Sequence, residues 1–169
     1  MTNTQYEMLD LVDDRDNVIG VMERGEVYAK GLDNFRVIDA FIKNKEGKLF
    51  VPRRQAHKRL FPLALDTSGG GHVSSGETYD EAFVKEAREE LDIDIVKTNY
   101  KVLGTMNPTI DGVAAFMTVY EIQSDATPDY NSDDFSAHYW LTPIEIMQRL
   151  SDGDTSKENL PKILKKFYL

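Results

Sequence analysis

Residues 69–93 read GGGHVSSGETYDEAFVKEAREELDI, and this stretch decides the fold. Three consecutive glycines allow positive φ and close backbone approach, so the sequence predicts a tight glycine loop. Thr78 followed three residues later by Glu81 matches a capping box, so a helix should start at Tyr79 and run to about Leu91. At about 100° per residue, Glu90 lies about 40° to one side of Glu86 and Glu89 about 60° to the other. Ala82 shares that face and leaves it room. Phe83, Val84, Ala87 and Leu91 form an apolar stripe that should dock on a sheet. Like charges at this spacing repel, at a few tenths of a kcal/mol per exposed pair. Two readings follow: a solvated acidic face, or carboxylates assembled for a site. The neighbouring glycines favour the second.

On the N-terminal side, apolar-rich runs at 7–12 and 18–22 flank the polar turn Asp13–Asn17, which predicts a β-hairpin over about 7–22. The acidic turn fails as a calcium loop. With Asp13 counted first, the sixth place holds Val18 instead of Gly and the twelfth Arg24 instead of Glu. Residues 23–34 are polar and predict irregular chain. Residues 36–43 and 48–53 read as strands joined by the turn Asn44–Gly47. Arg53, Arg54, His57, Lys58 and Arg59 then form the clear basic cluster of an acidic chain. It is either a solvated loop or a phosphate-contacting one, because Arg forks suit both.

On the C-terminal side, strands are predicted over about 101–106 and 113–123, with a Pro- and Gly-containing loop at 107–112 between them. A long acidic segment, 124–136, carries Asp133 and Asp134 and leads to a short strand at 137–141. Pro143 suits the first turn of a helix over about 143–150. A basic amphipathic helix over about 157–167 should pack on the sheet with its lysines outward.

The length of 169 residues suits one domain with a sizeable core. A net charge of −9 argues against a nucleic-acid polymer as partner. A small anion remains admissible if metal ions or local Arg and Lys offset the charge. The absence of cysteine excludes disulfides, thiolate nucleophiles and Cys-based zinc sites, and agrees with a cytoplasmic setting. MTNTQYEMLD is not a signal peptide, and no apolar run approaches the ~18–20 residues that span a bilayer, so no membrane association is expected.

Gly71, Glu77 and the run Lys85-Glu86-Ala87-Arg88-Glu89-Glu90-Leu91-Asp92-Ile93, at their spacings, resemble the Nudix box G-x5-E-x7-R-E-U-x-E-E-x-G-U, where U is bulky and apolar. The surrounding strands look like the same family over nearly the whole chain. The resemblance implies an α/β (α+β) fold, a Nudix-type α/β/α sandwich with a central mixed β-sheet, as a single domain over 1–169. It implies Mg²⁺ or Mn²⁺ bound by Glu86, Glu89 and Glu90, with the Gly70 or Gly71 carbonyl completing the shell. One of these carboxylates, or another, would be the general base. The implied reaction is hydrolysis of a nucleoside diphosphate linked to another moiety, on a small-molecule diphosphate substrate, by a chain that forms a homodimer.

Three positions depart from the box. Lys85 replaces the Arg that pairs with the first Glu, so a Glu77–Lys85 pair would orient the loop through one point charge. Ala87 is small where the box is bulky. Asp92 replaces the Gly that ends the helix and must adopt a left-handed conformation, which Asp tolerates better than most residues. Arg53 and Arg54 are candidate phosphate contacts. His72 is a candidate substrate or metal contact, with a local structural hydrogen bond as the other reading. Asp133 or Asp134 is a candidate further carboxylate, with a solvated loop acid as the other.

Within the family, LVDDRDNVIGVMERGEVY, Phe35-Arg36 and the stretch Lys58–Pro62 are similar to the isopentenyl diphosphate isomerase-like branch. The isomerase uses a cysteine and several histidines. Here there is no cysteine, Tyr28 and Phe35 stand where two histidines are expected, and only His72 remains, which sets the isomerase reaction aside. The competing reading is a non-catalytic Nudix-like ligand-binding or regulatory domain. The complete carboxylate set favours the hydrolase.

Overall fold

The computed structural model describes residues 6–169. Strands β1 (Met8–Val12) and β2 (Val18–Glu23) pair antiparallel. Their turn is pinned by Asp13 Oδ1, which accepts the Arg15 and Asn17 amides at 2.9 Å each. Residues expected to be irregular form a short helix, α1 (Arg24–Ala29), which buries Val27 against Leu9, Phe35 and Ala115.

The six-stranded sheet is built around β3 (Arg36–Lys43). On one side β3 runs parallel to β7 (Phe116–Gln123), whose far edge carries the antiparallel β6 (Tyr100–Met106). On the other side β3 pairs antiparallel with β5 (Gly69–His72), and with β4 (Leu49–Arg54) at Lys43 and Leu49. Strand β8 (Phe135–Leu141) pairs antiparallel with β4. One parallel pair among antiparallel ones makes the sheet mixed.

Side chains alternate across a strand, so β3 presents Ile38, Ala40 and Ile42 to one face and Phe41 to the other. The first face buries Phe83, Ala87 and Leu91 of helix α2 (Tyr79–Leu91). The second buries Ile146 of α4 (Pro143–Ser151) with Leu160, Ile163 and Leu164 of α5 (Asn159–Phe167). Each fully buried Leu, Ile or Phe contributes about 1.5–3 kcal/mol, so both layers are held mainly by apolar burial. The result is the expected α/β/α sandwich.

Helix α2 has the bounds the sequence predicts. Its capping box is closed, with the Glu81 amide on Thr78 Oγ1 at 3.1 Å and the Thr78 amide on Glu81 Oε2 at 2.8 Å. It ends at Asp92 in the left-handed conformation, φ 51° and ψ 38°. Val84 is exposed rather than part of the buried stripe.

The glycine segment is a correction: Gly69–His72 is a strand, with Asp39 opposite Gly70 and Ile38 opposite Gly71. The expected loop at 107–112 holds one turn of helix, α3 (Pro108–Asp111), and β7 starts only at Phe116. The C-terminal helix starts at Asn159, because Thr155 and Lys157 hydrogen-bond to Leu65 instead.

Candidate active site

Strand β5 explains the three glycines, because α2 lies directly on it. The Gly70 amide donates to Glu90 Oε2 at 3.2 Å. A Cβ on Gly70 would meet Asp39 Oδ1 at 2.7 Å and the Ile38 carbonyl at 3.0 Å. A Cβ on Gly71 would meet the Glu86 side chain, so the helix can place its carboxylates on the strand only where side chains are missing.

These carboxylates line a cavity of about 1040 Å³, with β5, α1 and the loops after β4 and β7 as its other walls. Burial, then the charge of Glu89, pushes the Glu86 carboxyl up to about 7. Burial, then the charge of Glu86, pushes Glu90 up to about 8, although the Gly70 amide opposes the shift. Among the described residues, Glu86, Glu89 and Glu90 have no cationic side chain within ion-pair distance. This wall therefore has no ion-pair partner among the described residues, and its all-oxygen donor set suits a hard divalent cation. Among the described residues no three acidic or His side chains already surround one point, so the donor set is not preassembled.

The segment between β5 and α2 is held as the box implies. Lys85 Nζ donates to both Glu77 oxygens at 3.0 Å, and Glu77 Oε2 accepts the Ser74 amide at 2.9 Å. One ammonium thus bridges both oxygens where a guanidinium fork would use two nitrogens.

His72 stacks on Phe35 with ring centroids 5.7 Å apart and planes 12° from parallel. Its Nε2 lies 2.7 Å from the Tyr28 hydroxyl. Burial, then the Arg24 charge, pushes its pKa down to about 3, so the ring is neutral and shares one hydrogen bond with the Tyr28 hydroxyl through Nε2. His72 therefore has the local structural bond and also lines the cavity.

The basic cluster divides. Arg54 lines the cavity, with Nη1 on Asp66 Oδ2 at 3.1 Å and two further bonds to the Leu60 carbonyl. Lys58 lines it too, paired with Asp134. Arg53 is not brought to the cavity. Its guanidinium forks onto Asp154 at 2.9 and 2.7 Å and donates to the Leu63 carbonyl at 2.8 Å. Asp134 reaches the cavity wall; Asp133 is exposed and does not.

Asp39 is a cavity carboxylate that sequence reasoning missed. It accepts the Thr67 hydroxyl at 2.6 Å, and burial pushes it up to about 6. The available signal was an acid at the centre of an otherwise apolar strand, Val37-Ile38-Asp39-Ala40-Phe41.

A mixed-sheet α/β/α sandwich, with an acidic helix laid on a glycine strand, defines a class. The NUDIX domain family matches residues 33–163, and the chain belongs to that family. It is 49% identical over 162 residues to an uncharacterized Nudix hydrolase of Nostoc sp., covering 96% of each chain. It is 44% identical to a Nudix hydrolase of Deinococcus radiodurans, over 99% of this chain and 98% of that one. A crystal structure of a D. radiodurans protein superposes with a TM-score of 0.90 at 43% identity, covering 96% of this chain and all (100%) of that one. An isopentenyl-diphosphate Delta-isomerase of Kocuria rhizophila is more distant, 22% identical over 86% of this chain and 83% of that one. Among the described residues no helix is long and apolar enough to cross a membrane.

Proposed function

We propose that this chain is a Mg²⁺- or Mn²⁺-dependent hydrolase that cleaves the diphosphate linkage of a nucleoside diphosphate joined to another moiety. The observation that carries the reading is the cavity-lining set Glu86, Glu89 and Glu90, without an ion-pair partner among the described residues, on a helix seated against the glycine strand. These carboxylates, with the Gly70 or Gly71 carbonyl, would hold the cation. Bound there, a hard divalent ion supplies charge neutralisation for the diphosphate and activation of water.

The chain's own groups account for the rest. A carboxylate of the same wall takes a proton from the water that attacks phosphorus, and the phosphate-bearing leaving group departs. Positioning supplies much of such catalysis, and the closed capping box and the Glu77–Lys85 bridge fix the helix and its loop in place. Arg54 and Lys58 add positive charge to the wall, and half-exposed Tyr28 offers a ring for a planar group.

The test is release of phosphomonoester or pyrophosphate products from nucleotide sugars, ADP-ribose, dinucleoside polyphosphates and nucleoside triphosphates with Mg²⁺ present. Turnover of at least one class is expected, and Glu89→Gln or Glu90→Gln should lower it by well over about tenfold. No release across the set, together with nucleotide binding, would establish the non-catalytic alternative. Full activity in both variants would remove the metal assignment.

A further inference from the structure

Five cationic side chains line the cavity: Arg24, Arg54, Lys58, Lys85 and Lys157. Four are engaged by protein acceptors. Arg24 donates to Glu7 at 3.3 Å, Arg54 to Asp66 at 3.1 Å, Lys85 to Glu77 at 3.0 Å, and Lys58 to Asp134. Lys157 differs. Its nearest carboxylate oxygen is Asp66 Oδ1 at 3.7 Å, and among the described residues its ammonium makes no hydrogen bond. That same oxygen already accepts the Thr67 amide at 2.8 Å. The ammonium's three donors thus have no hydrogen-bond acceptor among the described residues, on a side chain that lines the cavity.

The placement of Lys157 is built. The Leu65 amide donates to the Thr155 carbonyl at 2.8 Å, and the Lys157 amide donates to the Leu65 carbonyl at 2.9 Å. These bonds stitch residues 155–157 beside Leu65, the neighbour of Asp66 in the loop between β4 and β5. From the other side, the Arg53 fork grips Asp154, whose Oδ1 also accepts the Thr155 amide at 2.8 Å. Arg53 therefore fixes the segment that delivers Lys157, and this accounts for an arginine beside the cavity that does not enter it.

We propose that Lys157 is a substrate-binding residue that donates to phosphate oxygens of the diphosphate, and that Arg53 and Asp154 are the positioning clamp for it. The proposal rests on the hydrolase reading for its substrate class. A phosphate is the acceptor that suits an ammonium in an ion pair at 3.7 Å without a hydrogen bond, in a cavity whose other cations already donate to protein. The competing structural role, balancing the charges of Asp66 and Asp39, predicts an effect on stability with none on substrate affinity.

Two measurements decide it. The first labels the wild-type protein with an amine-acylating reagent, with and without inorganic pyrophosphate and Mg²⁺, and reads each lysine by peptide mass spectrometry. Lys157, 38% exposed, should be protected several-fold, while Lys97, 82% exposed, should label equally in both samples. Equal labelling of Lys157 overturns the proposal. The second compares Lys157→Met and Lys157→Arg on whichever diphosphate the wild type turns over. The Met variant should raise KM by about tenfold or more, the Arg variant should recover most of that, and Asp154→Asn should give a smaller rise. An unchanged KM in Lys157→Met overturns the proposal. If the wild type hydrolyses no diphosphate, the hydrolase reading fails alone, and the protection experiment still decides whether Lys157 binds phosphate.

Discussion

Glu86 lies against Gly71 so closely that a Cβ on Gly71 would sit 2.3 Å from the Glu86 carboxyl carbon and 2.4 Å from its Oε1. No rotation of an alanine methyl relieves that contact, so Gly71→Ala must displace the carboxylate, the strand or both. The atoms met are the end of the flexible Glu86 side chain, so the carboxylate swings aside at a cost of about 0.5–1.5 kcal/mol. The expected result is a loss of turnover of about tenfold or more. An alanine variant with wild-type activity would show that Glu86 is not needed where it stands.

Replacing Lys85 tests the loop rather than the helix. The Glu77–Lys85 pair is about 30% exposed, so its removal should change stability by less than about 1 kcal/mol. Lys85→Met should nevertheless lower kcat/KM, because Glu77 then loses the cation that holds it on the Ser74 amide. Lys85→Arg should retain or raise activity, since a fork serves two oxygens better than one point. A Met variant as active as the wild type would mean that the bridge is dispensable for positioning.

Asp92 carries a left-handed backbone, φ 51°, at the end of α2. Glycine has no Cβ penalty there, so Asp92→Gly should stabilise the protein by about 0.5–1 kcal/mol. That corresponds to a melting temperature higher by about 1–4 °C in calorimetry. The Arg88 contact it gives up, at 3.8 Å and largely exposed, is too weak to reverse the sign. A lower melting temperature would contradict this account of the cap.

The Arg53–Asp154 clamp should leave a pH signature. The hydrogen bonds from Arg53 are the largest cause holding Asp154 below its ordinary value of 3.8. A carboxyl depressed in the folded state stabilises the fold above its unfolded pKa, and that contribution is lost as pH falls through the folded one. The gap in melting temperature between wild type and Asp154→Asn should be full at pH 7 and should close below about pH 4. A gap that persists unchanged into strong acid would show that the clamp acts through something other than the charge on Asp154.

What the sequence disclosed follows the range of the interactions involved. Helix α2 was legible to the residue because its signals are local: a capping box four residues long and a stripe at helical spacing. The glycines misled, since glycine is depleted in strands, and the close approach of Glu86 and Leu91 from α2 and of Asp39 from β3 is what requires them in one. Helix α1 was missed because RGEVYA contains a glycine and buries only Val27, under Leu9 and Phe35. The roles of Arg53 and Lys157 depend on partners 101 and 91 residues away, Asp154 and Asp66. No window along the chain could pair them.

Every amino acid other than glycine carries a Cβ, so strand β5 has no neutral neighbours in sequence space at residues 70 and 71. Drift elsewhere in the sheet can proceed one substitution at a time. Here it is constrained: an alanine at 71 displaces the Glu86 carboxylate, and one at 70 meets both the Asp39 side chain and the Ile38 carbonyl. The acidic helix, the bare strand and the centre of β3 are thus bound to evolve as one heritable unit, whatever the surrounding loops adapt to.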